Sequence, residues 1–174
     1  MANVVDPREH EEDLIVEREE HPLNANAFRR HRDSEAFRSG WVVGALTLDV
    51  RGRVLLIHHP DDGWLTPGGT VQPGEFLREA VVREVHEETG VRVAPDRPQA
   101  LVESTIRHGP ERATLRFVLF TARPRTLETA KRLGMDDEPI QAASWFDELP
   151  EPLYYADLTR RVVTRCRNGD GAIG

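Results

Sequence analysis

The most constraining feature of this chain is a helix whose buried face changes character halfway along. Residues 75–89 contain no Gly or Pro and end on Gly90, where a C-terminal cap belongs, so the spacing predicts one helix. Leu77, Ala80 and Val81 recur at the helical period and predict an apolar stripe facing a sheet. Positions 84, 87 and 88 continue that same face, and they are Glu84, Glu87 and Glu88. Like charges at i, i+3 and i+4 repel, and burying them unpaired costs on the order of several kcal/mol. A cation is therefore expected among them. A solvated charged face is the alternative, but Arg78, Glu79, Arg83 and His86 already supply a separate polar face.

An acidic cluster with oxygen ligands only suits Mg²⁺ or Mn²⁺ rather than zinc. Magnesium commonly completes its shell with waters and substrate phosphates, which points to phosphoryl-type chemistry on a phosphate-rich substrate. Just upstream, Gly68-Gly69 and Pro73-Gly74 would let the backbone pass close to the ion and aim a carbonyl or amides at it. Charge sharpens the expectation: 30 Asp and Glu against 23 Lys and Arg give a net charge of -7. Such a chain is not expected to coat nucleic acid or an anionic membrane surface, and its phosphate chemistry must bring its own positive charge.

The cations are nearly all Arg, since Lys131 is the only lysine, as a GC-rich genome or a salt-adapted surface would give. Cys166 is the only cysteine, which excludes an internal disulfide or a cysteine-rich metal site. The apolar run at residues 41–48 is broken by Gly44 and Thr47 and falls far short of the roughly 20 residues that span a bilayer. The acidic N-terminus is the reverse of a basic signal segment. A soluble cytoplasmic protein is expected.

At 174 residues the chain predicts one domain with a small appendage. Residues 1–40 differ in composition, acidic up to Glu20 and then rich in Arg, with Leu14, Ile15, Phe28 and Phe37 as apolar anchors. They are expected to form a partly ordered extension, with the regular domain at residues 41–170. Whether the extension packs within one chain or across a homodimer is left open. Strand-like runs at residues 41–50 and 53–58 flank the turn Val50-Arg51-Gly52. Further strands are expected at residues 91–93, 101–106, 114–122 and 142–146. A last helix at residues 155–167 should turn Leu158, Val162 and Val163 inward. Strands on both sides of a central helix, plus a terminal helix, predict a mixed sheet between helical layers.

The central segment resembles the Nudix box. Gly69, Glu75, Arg83-Glu84-Val85, Glu87-Glu88 and Gly90-Val91 match every constrained position, and the lead-in Trp64-Leu65-Thr66-Pro67-Gly68-Gly69 also resembles that family. Thr66 and Gln72 stand where the family more often has an apolar and an acidic residue. The resemblance implies an α/β/α sandwich with a central mixed β-sheet. It also implies divalent-metal-dependent hydrolysis of a nucleoside diphosphate linked to another group X. It makes Glu84, Glu87 and Glu88 metal ligands through their carboxylates and Gly68 through its carbonyl, with Mg²⁺ the expected ion and Mn²⁺ a substitute. Arg83 would pair with Glu75, which fixes the ligands' orientation. A further Glu on a later loop can bind metal or act as base, and Glu138 is the leading candidate, followed by Asp137 and Glu128. Within the box, Glu84 is the expected base.

Substrate identity is less constrained. Trp41, Trp64 and Phe117 are candidates to stack on a base, each with a core role as the alternative. Arg107 and Arg112 flank a loop that would reach a phosphate if it is not merely solvated. His58 and His59 end a strand near the site. Two rival functions share the fold, a nucleotide-binding regulator without turnover and a diphosphate isomerase; the latter needs a catalytic Cys, and Cys166 lies far from the box.

Overall fold

Alternation along the central strands explains the architecture. In a strand, successive side chains point to opposite faces. Val43, Ala45, Leu101, Val118 and Phe120 enter one apolar layer, while Leu46, Leu48, Ala100, Val102 and Leu119 enter the other. The computed structural model, which describes residues 4–129 and 140–169, shows a helix closing each layer. Helix α3 (Leu77–Thr89) contributes Leu77, Ala80, Val81 and Val85 to the first. Helix α4 (Ala156–Arg167) contributes Leu158, Val162 and Val163 to the second. The predicted α/β/α sandwich with a mixed sheet is therefore present.

Strands β1 (Ile15–Pro22), β2 (Trp41–Thr47), β5 (Gly68–Thr70), β6 (Val93–His108) and β7 (Glu111–Pro124) form a five-stranded sheet in the order β1-β6-β7-β2-β5. The β1/β6 and β2/β7 pairs are parallel and the others antiparallel. Strands β3 (Val54–His59), β4 (Gly63–Leu65) and β8 (Ala142–Phe146) form a second sheet in the order β4-β3-β8. Among the described residues no helix is long and apolar enough to cross a membrane.

Residues before Trp41 enter the fold directly. Strand β1 runs beside β6 from Ile15 opposite Ala100 to Pro22 opposite Arg107. Helices α1 (Ala25–Arg32) and α2 (Glu35–Ser39) follow, with Phe28 buried. Asn24 and Ser34 cap their N-termini through side-chain acceptors.

Several expectations are corrected. The runs flanking Val50-Arg51-Gly52 are strands β2 and β3, but the two lie in different sheets, joined beside the turn by an antiparallel Leu48–Val54 bridge and the Asp49 N–H to Arg53 carbonyl bond at 3.0 Å. The Asp49 carboxylate accepts the N–H groups of Arg51 and Arg53 and the Arg53 Nε–H, which fixes the turn. The strands expected at 91–93 and 101–106 are one continuous β6. Pro95 and Pro98 punctuate it only locally, as register shifts against β7, because proline removes a ladder donor without ending the strand. Short strands β4 and β5 occupy a stretch that reads as turns alone.

Candidate active site

Helix α3 is entered through a tight cap. Glu79 accepts the Phe76 N–H at 3.0 Å and Glu75 accepts the Gln72 N–H at 2.8 Å. Gly90 closes the other end at φ 75, a left-handed conformation that glycine adopts without cost. Between these ends the apolar face gives way to carboxylates as the spacing predicts. Glu84 and Glu88 are each only 5% exposed.

Arg83 organises the cluster. Its Nε donates to Glu75 Oε1 at 2.8 Å and its Nη2 to Glu75 Oε2 at 2.9 Å and the Thr70 carbonyl at 3.0 Å. Its Nη1 donates to Glu84 Oε1 at 2.6 Å and Glu87 Oε2 at 3.2 Å. The pairing with Glu75 is the one the resemblance implies, whereas periodicity puts Arg83 on a separate polar face. Position 83 instead sits at the flank, one turn before Glu87, and a long guanidinium there reaches inward. Bonding to Glu75, opposed by burial and aided by Glu84, pushes the Arg83 guanidinium further up from its ordinary value. For Glu75, burial pushes upward, but the Arg83 bonds and the Gln72 N–H together hold the carboxyl below its ordinary value.

The loop opposite is made of groups that only glycine permits. The Gly68 N–H donates to Glu88 Oε2 at 3.0 Å, and a Cβ at Gly68 would run into the Val43 carbonyl oxygen. A Cβ at Gly69 would lie 2.5 Å from the Glu84 carboxylate. Strand β5 thus presses its backbone onto α3, fastened through Gly68 opposite Gly44 on β2.

Gly68 has a second neighbourhood. A cavity of about 200 Å³ opens beside it, lined by Thr66 from the loop, Leu115 and Phe117 from β7, and Tyr154 and Tyr155 ahead of α4. The Phe117 and Tyr155 rings stack with centroids 5.7 Å apart and planes 8° apart. Tyr154 meets Tyr155 edge-on at 4.6 Å. The cavity is apolar, and Gly68, which lines it, also donates its N–H to Glu88.

The structure brings together Gly68, Glu75, Arg83, Glu84, Glu87 and Glu88. Among the described residues, no three His, Cys, Asp or Glu side chains form a ready metal cluster; the carboxylates gather around Arg83 and the Gly68 amide. Glu138 and Asp137 lie outside the described residues, and Glu128 is exposed. His58 hydrogen-bonds Gln141 at 2.9 Å and His59 pairs with Asp62 at 3.6 Å. Arg107 and Arg112 both pair with Glu20, at 2.8 and 2.7 Å. Trp41 packs against the α3-side layer beneath the Arg116 guanidinium, and Trp64 packs edge-on between His58 and Phe146, so of the three aromatic candidates Phe117 lines the cavity. Cys166 packs on the α4-side layer. Sequence reasoning missed Tyr154 and Tyr155; the signal available was an adjacent aromatic pair at the mouth of the last helix.

Comparison with known proteins bears on this geometry. A NUDIX domain family model matches residues 38–162. The 8-oxo-dGDP phosphatase NUDT18 of Homo sapiens is 37% identical over 130 residues, covering 70% of this chain and 37% of that protein. The chain thus spans little more than a third of the length of this curated relative. The crystal structure of a MutT NUDIX hydrolase from Burkholderia pseudomallei superposes with a TM-score of 0.51 at 30% identity, covering 71% of this chain and 95% of the other. An ADP-ribose pyrophosphatase from Streptococcus suis shares the fold, with a TM-score of 0.54 at 21% identity over 77% of this chain and 93% of the other.

Proposed function

The chain belongs to the Nudix hydrolase family, and on that premise we propose that it hydrolyses the diphosphate linkage of a nucleoside diphosphate joined to a further group. The observation that carries the proposal is the double role of the Gly68 loop. Its backbone N–H holds the Glu88 carboxylate on one side, and Gly68 walls an aromatic cavity on the other. A nucleotide needs both, because its base is flat and apolar while its diphosphate is a polyanion.

Nudix hydrolases generally use divalent metals, and the donor chemistry here fits a hard cation. The donors are carboxylate oxygens and a backbone carbonyl, and Gly69 leaves the Glu84 carboxylate space that a Cβ would fill. Glu84, Glu87, Glu88 and the Gly68 carbonyl would hold the ion, which we take to be Mg²⁺ with Mn²⁺ as a substitute. When bound it would neutralise charge on the diphosphate and make water a better nucleophile.

The remaining work belongs to the chain. Arg83 and Glu75 fasten α3 to the Thr70 carbonyl, so the acidic turn and the glycine loop keep a fixed separation. The Gly68 amide orients Glu88. Glu84, buried and aimed at Gly69, is placed to accept the proton of the attacking water. Phe117 and Tyr155 receive the base by stacking and exclude solvent from that end. Given the NUDT18 relative, we further propose purine nucleotides, including 8-oxo-dGDP, as the first substrates to examine.

The test is a panel of 8-oxo-dGDP, 8-oxo-dGTP, dGTP, ADP-ribose and a dinucleoside polyphosphate, assayed for phosphate or nucleotide release with Mg²⁺, Mn²⁺ or chelator. Metal-dependent release from at least one member is expected. Binding without turnover across the panel would instead support a regulator.

A further inference from the structure

Strand β1 lies outside the segment matched by the family model, yet it is fastened to the element that carries the aromatic wall. Alternation explains how. Ile15, Glu17 and Glu19 share one face of the strand, and that face looks toward α4. Ile15 packs against the α4-side apolar layer. Glu17 Oε1 pairs with Arg161 at 2.6 Å, and the Asp13 carbonyl accepts from Arg165 Nη1 at 2.8 Å. The next residue on that face, Glu19, accepts a hydrogen bond from the Tyr155 hydroxyl at 3.4 Å.

Tyr155 needs holding. It is the N-cap of α4 and has φ 51 and ψ 42, a left-handed conformation that residues with a Cβ rarely adopt. No side-chain cap bond secures it. Its side chain is held by the Phe117 stack, the Tyr154 edge contact and the Glu19 carboxylate.

We propose that Glu19 is a positioning residue for the substrate cavity: through the Tyr155 hydroxyl it sets the Phe117–Tyr155 wall, so the N-terminal strand governs affinity for the base-carrying part of the nucleotide. The proposal rests on the functional reading above, in which the base enters this cavity. It also predicts an electrostatic signature. Burial first, then the neighbouring Tyr154 and Glu19, push the Tyr155 phenol up; burial first, then Asp62 and Glu19, push Tyr154 up; and His21 pairs with the Glu19 carboxylate at 3.3 Å.

The experiment uses the full-length chain and the best nucleotide of the panel. E19A and Y155F are each expected to raise KM about threefold to tenfold while kcat changes less than about twofold. E19Q keeps an acceptor and should stay near wild type. The E19A/Y155F double variant should be no worse than either single one, because both remove the same link. Tyr154 and Tyr155 are the only tyrosines, so the tyrosinate absorbance titration reports this wall alone. Its onset should move to lower pH in E19A, where the carboxylate that disfavours the phenolate is gone. An unchanged KM, a loss confined to kcat, additive single effects or an unmoved titration each overturn the proposal while leaving nucleotide hydrolysis intact. A wild-type chain that neither binds nor hydrolyses any nucleotide overturns the functional reading and this proposal together.

Discussion

Two regions meet at Gly68, and they are built in opposite ways. The charged side comes from one stretch of chain, residues 68 to 88, within which Arg83, Glu75, Glu84, Glu87 and Glu88 are tied together with the Gly68 amide and the Thr70 carbonyl. The apolar side draws Val42, Thr66, Phe117, Tyr155 and Leu158 from distant parts of the sequence. On the proposed function, chemistry is local and recognition is assembled by the fold. Substitutions on the charged side should therefore strike turnover, and those on the apolar side should strike affinity.

The largest separation is expected from E87Q, which removes a carboxylate charge while keeping the shape. Turnover at saturating Mg²⁺ should fall about a hundredfold or more, with little change in nucleotide affinity. Wild-type-like turnover in steady-state kinetics would refute the charged side as the reaction centre. G69A comes next. The added methyl would meet the Glu84 carboxylate 2.5 Å away and displace it, so kcat should drop about tenfold to a hundredfold while circular dichroism stays native. On the apolar side, F117L should raise KM about tenfold with kcat nearly unchanged, since stacking area is lost far from the reacting bond. A fall in kcat alone would dissolve the division between the two regions.

The smallest effect concerns stability. Glu75 is held below its ordinary value of 4.5 by Arg83 and the Gln72 N–H, against burial. A depressed carboxyl stabilises the fold above its ordinary value, and that contribution disappears as pH falls through the lowered one. E75Q should therefore be less stable than wild type by about 1–2 kcal/mol at pH 7, with the gap closing under acid. Denaturant midpoints at pH 7 and near pH 3 would check both signs.

The same contrast explains what was legible in the sequence. Helix α3, its Gly90 cap and the Glu84, Glu87, Glu88 face follow from period and spacing, which are local. The inner face of α4 and strand β8 were equally readable. The Arg83–Glu75 pair follows from the resemblance; periodicity alone puts Arg83 on a separate polar face, because it assigns a direction to Cα, while a long guanidinium reaches around the helix flank. The continuity of β6 was hidden by Pro95 and Pro98, whose local signals are outweighed by pairing with β7. Phe117 could be named only as one aromatic among three, because its partner Tyr155 is brought beside it by packing alone. Strand β1 was hidden for a related reason. Ile15 to Pro22 carries many charges, and its alternation acquires meaning only once β6 and α4 stand on either side.

Arg83 has one more consequence. Because its guanidinium already satisfies Glu75, Glu84 and Glu87, helix α3 carries its own counter-charge from the moment it forms. If the proposed cation site holds, assembly of the polypeptide should then be independent of metal supply. The domain would be a socket that can be filled after folding, rather than an arch awaiting its keystone. Refolding from denaturant in chelator should recover the native spectrum, with activity returning when the cation is added.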